Sequence, residues 1–106
     1  MKDAFIAENK NDENGMPAGG FVVGKGIEIV WQNGPLSVDG ARLEPSGAFV
    51  ETVLAAVCQR IEYYQETKFS CRENALAITK IQEALHWLDH RTKDREARLV
   101  EGTHNV

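Results

Sequence analysis

Residues 69–100, FSCRENALAITKIQEALHWLDHRTKDREARLV, decide the fold of this 106-residue chain. Ser70–Glu73 has the pattern of a capping box, in which the serine hydroxyl accepts a hydrogen bond from the Glu73 amide and the Glu73 carboxylate reaches back. The pattern predicts a helix from Cys71 to about Arg98. Apolar residues along it recur in steps of three and four, as on a helix with one buried face: Leu76/Ala77, Ile81, Ala84/Leu85 and Leu88.

A second helical pattern precedes this one. Pro45 and Ser46 suit the start of a helix, and we expect the helix to end near Glu66–Lys68. The joint Thr67–Phe69 is short, so the two helices should form an antiparallel hairpin. The apolar residues of this first helix have the same spacing: Phe49, Val53, Ala56, Val57, Ile61 and Tyr64.

The residues before Pro45 have the features of a small antiparallel sheet. β-branched and aromatic residues predict two strands, and Asn33-Gly34 predicts a turn to a short returning strand. A loose hairpin, closed around a loop at 9–20, precedes them. The expected strands are Phe21–Val23, Ile27–Trp31 and Leu36–Val38, with Ala4–Ala7 pairing with Gly20–Gly24 upstream.

These patterns together predict an α+β protein: a small N-terminal antiparallel β-sheet followed by an antiparallel two-helix hairpin, in an oligomeric assembly. A single domain is expected over residues 1–106. Within it, 1–20 should be largely irregular or a loose hairpin, 20–44 the sheet, 45–99 the helical hairpin and 100–106 a tail. A chain of this length buries a modest core, and dimerisation would help it.

The charge pattern points to local rather than general anion binding. The formal net charge is −4, so the whole molecule is not a polyanion binder. Cations cluster at the end of the second helix, at Arg91, Lys93, Arg95 and Arg98. They are compatible with a solvated helix end, where cations favour the dipole. Arg91 and Arg95, one turn apart, are also placed to clamp a diphosphate together.

Neither catalysis nor a metal site is predicted. Cys58 and Cys71 lie in no nucleophile motif and form no disulfide framework. His86 and His90 have the i, i+4 spacing of helical metal ligands, but no third ligand completes a motif, so surface or interface histidines are favoured. The sequence contains no long apolar run and no signal-peptide pattern, which favours a cytoplasmic protein.

Asn74 and two tyrosines are candidate contacts for a nucleotide. Tyr63 and Tyr64 end the first helix; we expect one of them to pack in the core and the other to offer its ring to a base. Asn74 could read a base edge, although a polar residue in a first helical turn needs no ligand. On a continuous helix Asn74 and Arg91 are about 25 Å apart. If both belong to one site, two copies of the helix must run antiparallel.

Several motifs resemble the Thoeris anti-defence 1 family of small phage proteins. The resemblance covers about Ile27–Val106 and leaves the first twenty-five residues without a counterpart. The motifs that carry it are Phe69–Ala77 (FSCRENALA), Glu83–Leu88 (EALHWL), Arg91–Arg95 (RTKDR), Val100–His104 (VEGTH) and, upstream, Gln32–Pro35 (QNGP).

The resemblance implies a protein that is not an enzyme and uses no cofactor. Members of the family bind glycocyclic ADP-ribose, a cyclic ADP-ribose isomer that bacterial TIR proteins make on infection, and withhold it from the Thoeris effector. The family fold is a sheet followed by a helical hairpin, assembled into dimers and into hexamers as trimers of dimers, with pockets between two protomers. It implies action in the host cytoplasm, with no membrane or nucleic-acid partner.

Carried over residue by residue, the resemblance also implies a site. It assigns Tyr64, where other members have phenylalanine, to base stacking and Asn74 to reading the base edge. It assigns Arg91 and Arg95 to the phosphates. Thr103 and His104 lie in a tail that is expected to close over the ligand.

Some members also bind cyclic di- or trinucleotides of CBASS-type immunity at a second site, for which Lys25 and Arg42 are the candidates here. Two other classes of function stay open at this point. One is a nucleic-acid-binding module that uses the cations of Arg91–Arg98. The other is a structural phage protein whose helices only oligomerise.

Overall fold

The computed structural model describes residues 4–34, 37–38, 41–42 and 44–102, with side chains in 4–34 and 44–97. The chain divides into two compact units. We call residues 1–50 the sheet unit and residues 51–106 the helical unit, and each is described by itself. The order of elements, strands first and two helices after them, confirms the predicted α+β class.

The sheet unit contains a three-stranded antiparallel sheet in the order β1-β2-β3, formed by β1 (Phe5–Asn11), β2 (Pro17–Gly24) and β3 (Ile27–Val30). The turn between β1 and β2 is closed by Asp12, whose Oδ1 accepts hydrogen bonds from the amides of Asn14 (2.8 Å) and Met16 (3.0 Å). Strand therefore replaces part of the loop expected at 9–20.

The pairing of β1 with β2 leaves no room for a side chain at Gly20. Its φ is +142°, and a Cβ built there would overlap the backbone carbonyl oxygen of Glu8 on β1. Only glycine combines that backbone angle with so close an approach of the paired strand.

The segment that follows β3 is held by a parallel bridge between Trp31 and Ala48. The amide of Gln32 donates to the carbonyl oxygen of Ala48 (2.9 Å), and the amide of Ala48 donates to that of Val30 (2.7 Å). Sequence patterns did not predict this bridge, because it joins residues that are 17 positions apart.

The expected returning strand is confirmed at Ser37–Val38, and Leu36 lies outside the described residues, but the strand does not join the three-stranded sheet. Ser37–Val38 (β4) pairs instead with Ala41–Arg42 (β5) in a separate two-stranded sheet. A two-residue strand is too short for its own sequence to select its partner, so the sequence pattern did not predict this pairing.

The helical unit is built from α1 (Val50–Gln65) and α2 (Arg72–Gly102). α1 begins five residues after Pro45, and α2 continues through residues 100–102, which were expected to belong to the tail. The capping box at Ser70 is also wrong. Because α2 begins at Arg72, the cap is Cys71, whose Sγ accepts the amide hydrogen of Asn74 at 3.4 Å.

A reciprocal pair of hydrogen bonds closes the joint between the helices. The Gln65 side chain accepts from the amide of Cys71 (2.9 Å) and donates to the Cys71 carbonyl oxygen (3.1 Å). The last residue of α1 therefore holds the residue before α2 through both of its polar side-chain atoms. The Cys71 amide has no other partner among the described residues, whereas the Cys71 carbonyl oxygen also accepts from the Ala75 amide (3.2 Å).

The less exposed positions of both helices recur in steps of three and four, and they include most of the α2 positions predicted to be buried and Val53 and Ile61 of α1. Val57, Tyr64 and Leu76 were placed on the buried faces, yet they are 46%, 36% and 47% exposed. Polar residues also take part in the observed stripes, which are Glu51, Val53, Leu54, Cys58, Ile61 and Gln65 on α1 and Asn74, Ala77, Ile78, Ile81, Leu85, Leu88 and Thr92 on α2.

Cys58, 6% exposed, is the only apolar side chain in the described residues that is buried. Most of the apolar side chains that the structure describes are therefore at least partly in contact with solvent, more than in a typical isolated soluble domain. No helix in the described part of the chain is long and apolar enough to cross a membrane.

Candidate functional site

One uninterrupted helix carries the predicted site residues at positions far apart. Asn74 is the third residue of α2, and Arg91 follows it by seventeen positions. At 1.5 Å per residue the two are separated by about 25 Å along the axis. The predicted contacts therefore form two half-sites: the hairpin joint with Tyr64 and Asn74, and the later part of α2 with Arg91 and Arg95.

In the first half-site, Tyr64 is held by an arginine that the sequence interpretation missed. The Nε of Arg60 donates to the Tyr64 hydroxyl at 3.2 Å. The guanidinium carbon of Arg60 lies 5.0 Å from the centroid of the Tyr64 ring and 5.2 Å from that of Tyr63. We call these three residues the tyrosine cluster. The i, i+4 spacing of Arg60 and Tyr64 was the signal that could have revealed it.

Both tyrosines of this cluster lie at the surface. Tyr63 is 47% exposed and Tyr64 is 36% exposed, and their rings are 5.9 Å apart at an angle of 49°. The expectation that one of them packs in the core is therefore wrong for the single chain. Exposed, positioned rings are suited to stacking against a flat ligand.

A run of hydrogen bonds connects Tyr64 to Asn74 through the joint. The Thr67 hydroxyl donates to the Tyr64 carbonyl oxygen (2.6 Å) and accepts from the Phe69 amide (3.1 Å). The carbonyl oxygen of Phe69 in turn accepts from Nδ2 of Asn74 at 3.4 Å. Nδ2 therefore has a structural partner, while Oδ1 accepts no hydrogen bond from any residue that the structure describes.

In the second half-site, the four predicted cations are not equivalent. Nη2 of Arg91 lies 3.4 Å from Oε2 of Glu51 on α1, whereas Lys93 pairs with Asp89 one turn away at 3.2 Å. Arg95 is exposed and follows Arg91 by one turn on the same side of α2. Arg98 lies where only the backbone is described.

The remaining candidate residues are placed as follows. Thr103 and His104 lie outside the described residues. Lys25 is exposed in the turn between β2 and β3, and Arg42 belongs to β5, where only the backbone is described. The structure therefore does not test their predicted roles.

The two histidines of α2 surround an exposed tryptophan. The ring of Trp87, which is 65% exposed, meets His86 edge-on at a centroid distance of 5.6 Å and His90 at 5.9 Å. Among the described residues no group of three or more His, Cys, Asp or Glu side chains could hold a metal ion.

The two cysteines are free thiols with different surroundings. Cys71 is exposed at the start of α2, and Cys58 is buried in α1. Burial raises the pKa of the Cys58 thiol, and the neighbouring Glu62 carboxylate raises it further. A thiol with a raised pKa is a poor nucleophile near neutral pH.

An open groove of about 620 Å³ lies along α2, lined by Thr79, Gln82, Glu83, His86 and Trp87. Its lining includes none of the predicted ligand contacts. Glu83, one of its lining residues, is about midway in the sequence between Asn74 and the pair Arg91 and Arg95.

Comparisons with known proteins agree on one family. A family model described as "Acb2/Tad1, hairpin domain" matches residues 24–93. A protein of Bacillus phage SBSphiJ7 named "Thoeris anti-defense 1" is 48% identical over 81 residues, which are 76% of this chain and 54% of that protein. The chain therefore spans about half the length of this relative.

Proposed function

The chain belongs to the Acb2/Tad1 hairpin-domain family, and we propose that it is a phage anti-defence protein that binds a cyclic ADP-ribose-type signal in the host cytoplasm and withholds it from Thoeris immunity. The observation that carries this proposal is the 48% identity to a phage protein named for Thoeris anti-defence. The family match contains Tyr64, Asn74 and Arg91 and ends two residues before Arg95.

The separation of the two half-sites supports a pocket that two protomers share. A nucleotide-sized ligand is shorter than the 25 Å or so between Asn74 and Arg91 on one helix. Antiparallel pairing of two α2 helices places Tyr64 and Asn74 of one protomer beside the arginines of its partner. Each dimer then contains two equivalent pockets, as two-fold symmetry requires.

The groove on α2 supports this pairing. A two-fold axis that passes near Glu83 would bring Asn74 of one protomer level with residue 92 of the other, between the two arginines. Trp87 is 65% exposed there and supplies an apolar ring for a partner to cover. Nζ of Lys80 lies 3.6 Å from Oε1 of Glu83, so the lysine partly neutralises the Glu83 carboxylate at the point where two copies would meet.

The chemistry of the half-sites suits a nucleotide diphosphate. A buried pyrophosphate needs paired cations, and two arginines one turn apart can supply charge-assisted, bidentate hydrogen bonds. A stacking ring and a carboxamide with an unused acceptor suit the base at the other end. A shared pocket that is formed before the ligand arrives limits the ordering cost of binding.

Calorimetry with glycocyclic ADP-ribose tests the site. We expect Asn74→Ala and Arg91→Ala to abolish binding, while the mass of the oligomer in light scattering stays unchanged. Lys93→Ala is the matched control, because Lys93 lies between the two arginines but pairs with Asp89. Unchanged affinity in both site variants would remove the assignment.

The absence of turnover has its own test. The protein is loaded with ligand and heated, and the released molecule is identified by mass spectrometry. Withholding without chemistry predicts the intact ligand, and a cleaved product would overturn the proposal.

The assembly and a second ligand are further parts of the proposal. We expect at least a dimer and, following the family, a hexamer built as a trimer of dimers, which native mass spectrometry measures. Lys25 and Arg42 remain the candidates for a cyclic oligonucleotide site. Salt-dependent binding of duplex DNA would favour a nucleic-acid-binding module instead, and assembly without any nucleotide affinity would favour a structural protein.

A further inference from the structure

A cleft in the sheet unit takes no part in the site proposed above. It has a volume of about 350 Å³, at the lower end of the range for small-molecule pockets. No carboxylate among the described residues lines it. Its lining residues are Lys10 of β1, Ala18–Phe21 of β2, Val30 and Trp31 at the end of β3, and Asn33 and Ser46 after it.

One wall of this cleft carries the ammonium group of Lys10, which forms no salt bridge with a carboxylate that the structure describes. The register of β1 against β2 shifts between Asn9 and Asn11, so Lys10 sits at an irregularity of the strand pair. Such irregularities re-aim a side chain. Nζ of Lys10 lies 5.7 Å from the centroid of the Phe21 ring, and no salt bridge joins it to another residue in the described part of the chain.

Hydrogen bonds fix the opposite wall. The side-chain oxygen of Gln32 accepts from the amides of Ser46 (2.8 Å) and Gly47 (3.2 Å). The amide of Asn33 donates to the Ser46 hydroxyl oxygen at 2.9 Å. This wall presents the half-buried ring of Trp31 beside the Asn33 carboxamide, which bonds to no other residue in the ranges that the structure describes.

The floor between the walls depends on Gly19. Its φ is +83°, and a Cβ there would lie 3.3 Å from the Cβ of Asn33. A side chain at this position would therefore strain the backbone and press against the Asn33 wall. Because glycine has no side chain, it leaves the space beside Asn33 open.

We infer that this cleft binds a small molecule in which an anionic group is attached to a flat ring. Lys10 receives the anion, since an ammonium beside an aromatic face attracts it with little competition from neighbouring charges. The ring stacks on Trp31, and Asn33 donates to or accepts from its polar edge. The anion is a phosphate or a carboxylate, and the probes below separate these two sources.

The test follows the two indole N–H signals of the full chain by NMR, assigned with the Trp87→Phe variant. The probes are phenyl phosphate and benzoate, with inorganic phosphate and phenol as the anion-only and ring-only controls. We expect phenyl phosphate or benzoate to shift the Trp31 signal at a concentration at least about tenfold lower than either control. Equal responses to all four probes, or none, would overturn the inference.

Two variants locate the site. Lys10→Gln should weaken the response of Trp31 about fivefold or more, whereas Lys68→Gln, which removes an exposed ammonium 5.5 Å from the centroid of the Phe69 ring, should leave it unchanged. Asn74→Ala removes the site of the proposed function and should not change the Trp31 response. If Lys10→Gln has no effect, or if Asn74→Ala abolishes the shift, the cleft is not the binding site.

Discussion

Arg91 and Glu51 form an ion pair that connects α2 to the first turn of α1, with Nη2 of Arg91 3.4 Å from Oε2 of Glu51. The two side chains are 53% and 36% exposed, so the pair contributes little to stability, about 1 kcal/mol at most. Its importance lies in the proposed ligand site. An arginine that is expected to meet phosphate is already held by a carboxylate.

Replacing Glu51 with Gln should therefore strengthen ligand binding. The change removes the competing carboxylate and a negative charge beside the phosphates, and we expect the dissociation constant to fall by up to about fivefold. Calorimetry measures the change. Glu62→Gln, which alters a carboxylate of α1 that pairs with no arginine in the described residues, is the control. Weaker binding in Glu51→Gln would mean that Glu51 positions Arg91 productively.

Replacing Arg60 with Ala should lower the affinity for the ligand by weakening the stacking of its base on Tyr64. Arg60 holds the Tyr64 ring by a hydrogen bond and by its contact with the ring face. An exposed contact of this kind contributes about 0.5–1 kcal/mol, which corresponds to about a two- to fivefold loss of affinity.

The matching variants of the tyrosine cluster separate the two contributions of Arg60. Arg60→Lys keeps the charge but not the planar guanidinium, so it should restore affinity only in part. Tyr64→Phe keeps the ring and removes the hydroxyl. A loss in Tyr64→Phe as large as that in Arg60→Ala would show that the hydrogen bond, and not the ring contact, positions Tyr64.

Replacing Gln65 with Ala should destabilise the helical hairpin. The variant loses both hydrogen bonds to Cys71 and leaves the Cys71 amide without a partner among the described residues, whereas the Cys71 carbonyl oxygen still accepts from the Ala75 amide. We expect a loss of about 1 kcal/mol in the free energy of unfolding, measured by urea denaturation. Gln59→Ala, at an exposed position of the same helix, should cost less than half of that. Equal stability of the two variants would contradict the role of the joint.

The two thiols should differ in reactivity at neutral pH. Cys71 is exposed and should react with Ellman's reagent in the native protein, whereas buried Cys58 should react only after denaturation. If Cys58 reacts as fast as Cys71, the face of α1 that contains Cys58 is accessible to solvent, which would contradict its burial.

Cys58 should also make stability depend on pH in the alkaline range. Its pKa is raised above the ordinary 9.0 by burial and by Glu62, so the folded chain holds the thiol proton to a higher pH than the unfolded chain does. Its contribution is fully present below pH 9.0 and is lost as the pH rises through the folded-state pKa. Urea denaturation of the wild type and of Cys58→Ala should show a shallower alkaline decline in the variant.

Periodicity was sufficient to predict the class of fold. Spacings of three and four residues marked both helices, and β-branched residues marked β2 and β3, because these patterns are local consequences of backbone geometry. The family resemblance, read from motifs in α2 and from Gln32–Pro35, was confirmed by the match over residues 24–93.

Details that depend on tertiary contacts were not predictable in the same way. Ile78 rather than Leu76 lies on the less exposed face of α2, because adjacent apolar residues fit two neighbouring phases of one helical pattern. Cys71 took the capping position expected for Ser70. The pairing of Trp31 with Ala48 has no local signal at all.

One contact of the candidate site, between Arg60 and Tyr64, could have been predicted from the spacing of the two residues. Arg60 lies four residues before Tyr64, the spacing at which helical side chains meet. The contact between Arg91 and Glu51 had no such signal, because it joins positions forty apart in the sequence.

Because α2 is one continuous helix, the number of residues between Asn74 and Arg91 fixes both the distance and the rotation between them. Adding or deleting one residue between Asn74 and Arg91 would turn one end by about 100° about the axis relative to the other, while altering their separation by only about 1.5 Å. Adaptation of the family to a longer or shorter signal molecule would therefore require insertions or deletions of about one full helical turn. Related proteins with other ligand preferences should differ there by three or four residues at once, or by seven, and single insertions should be absent.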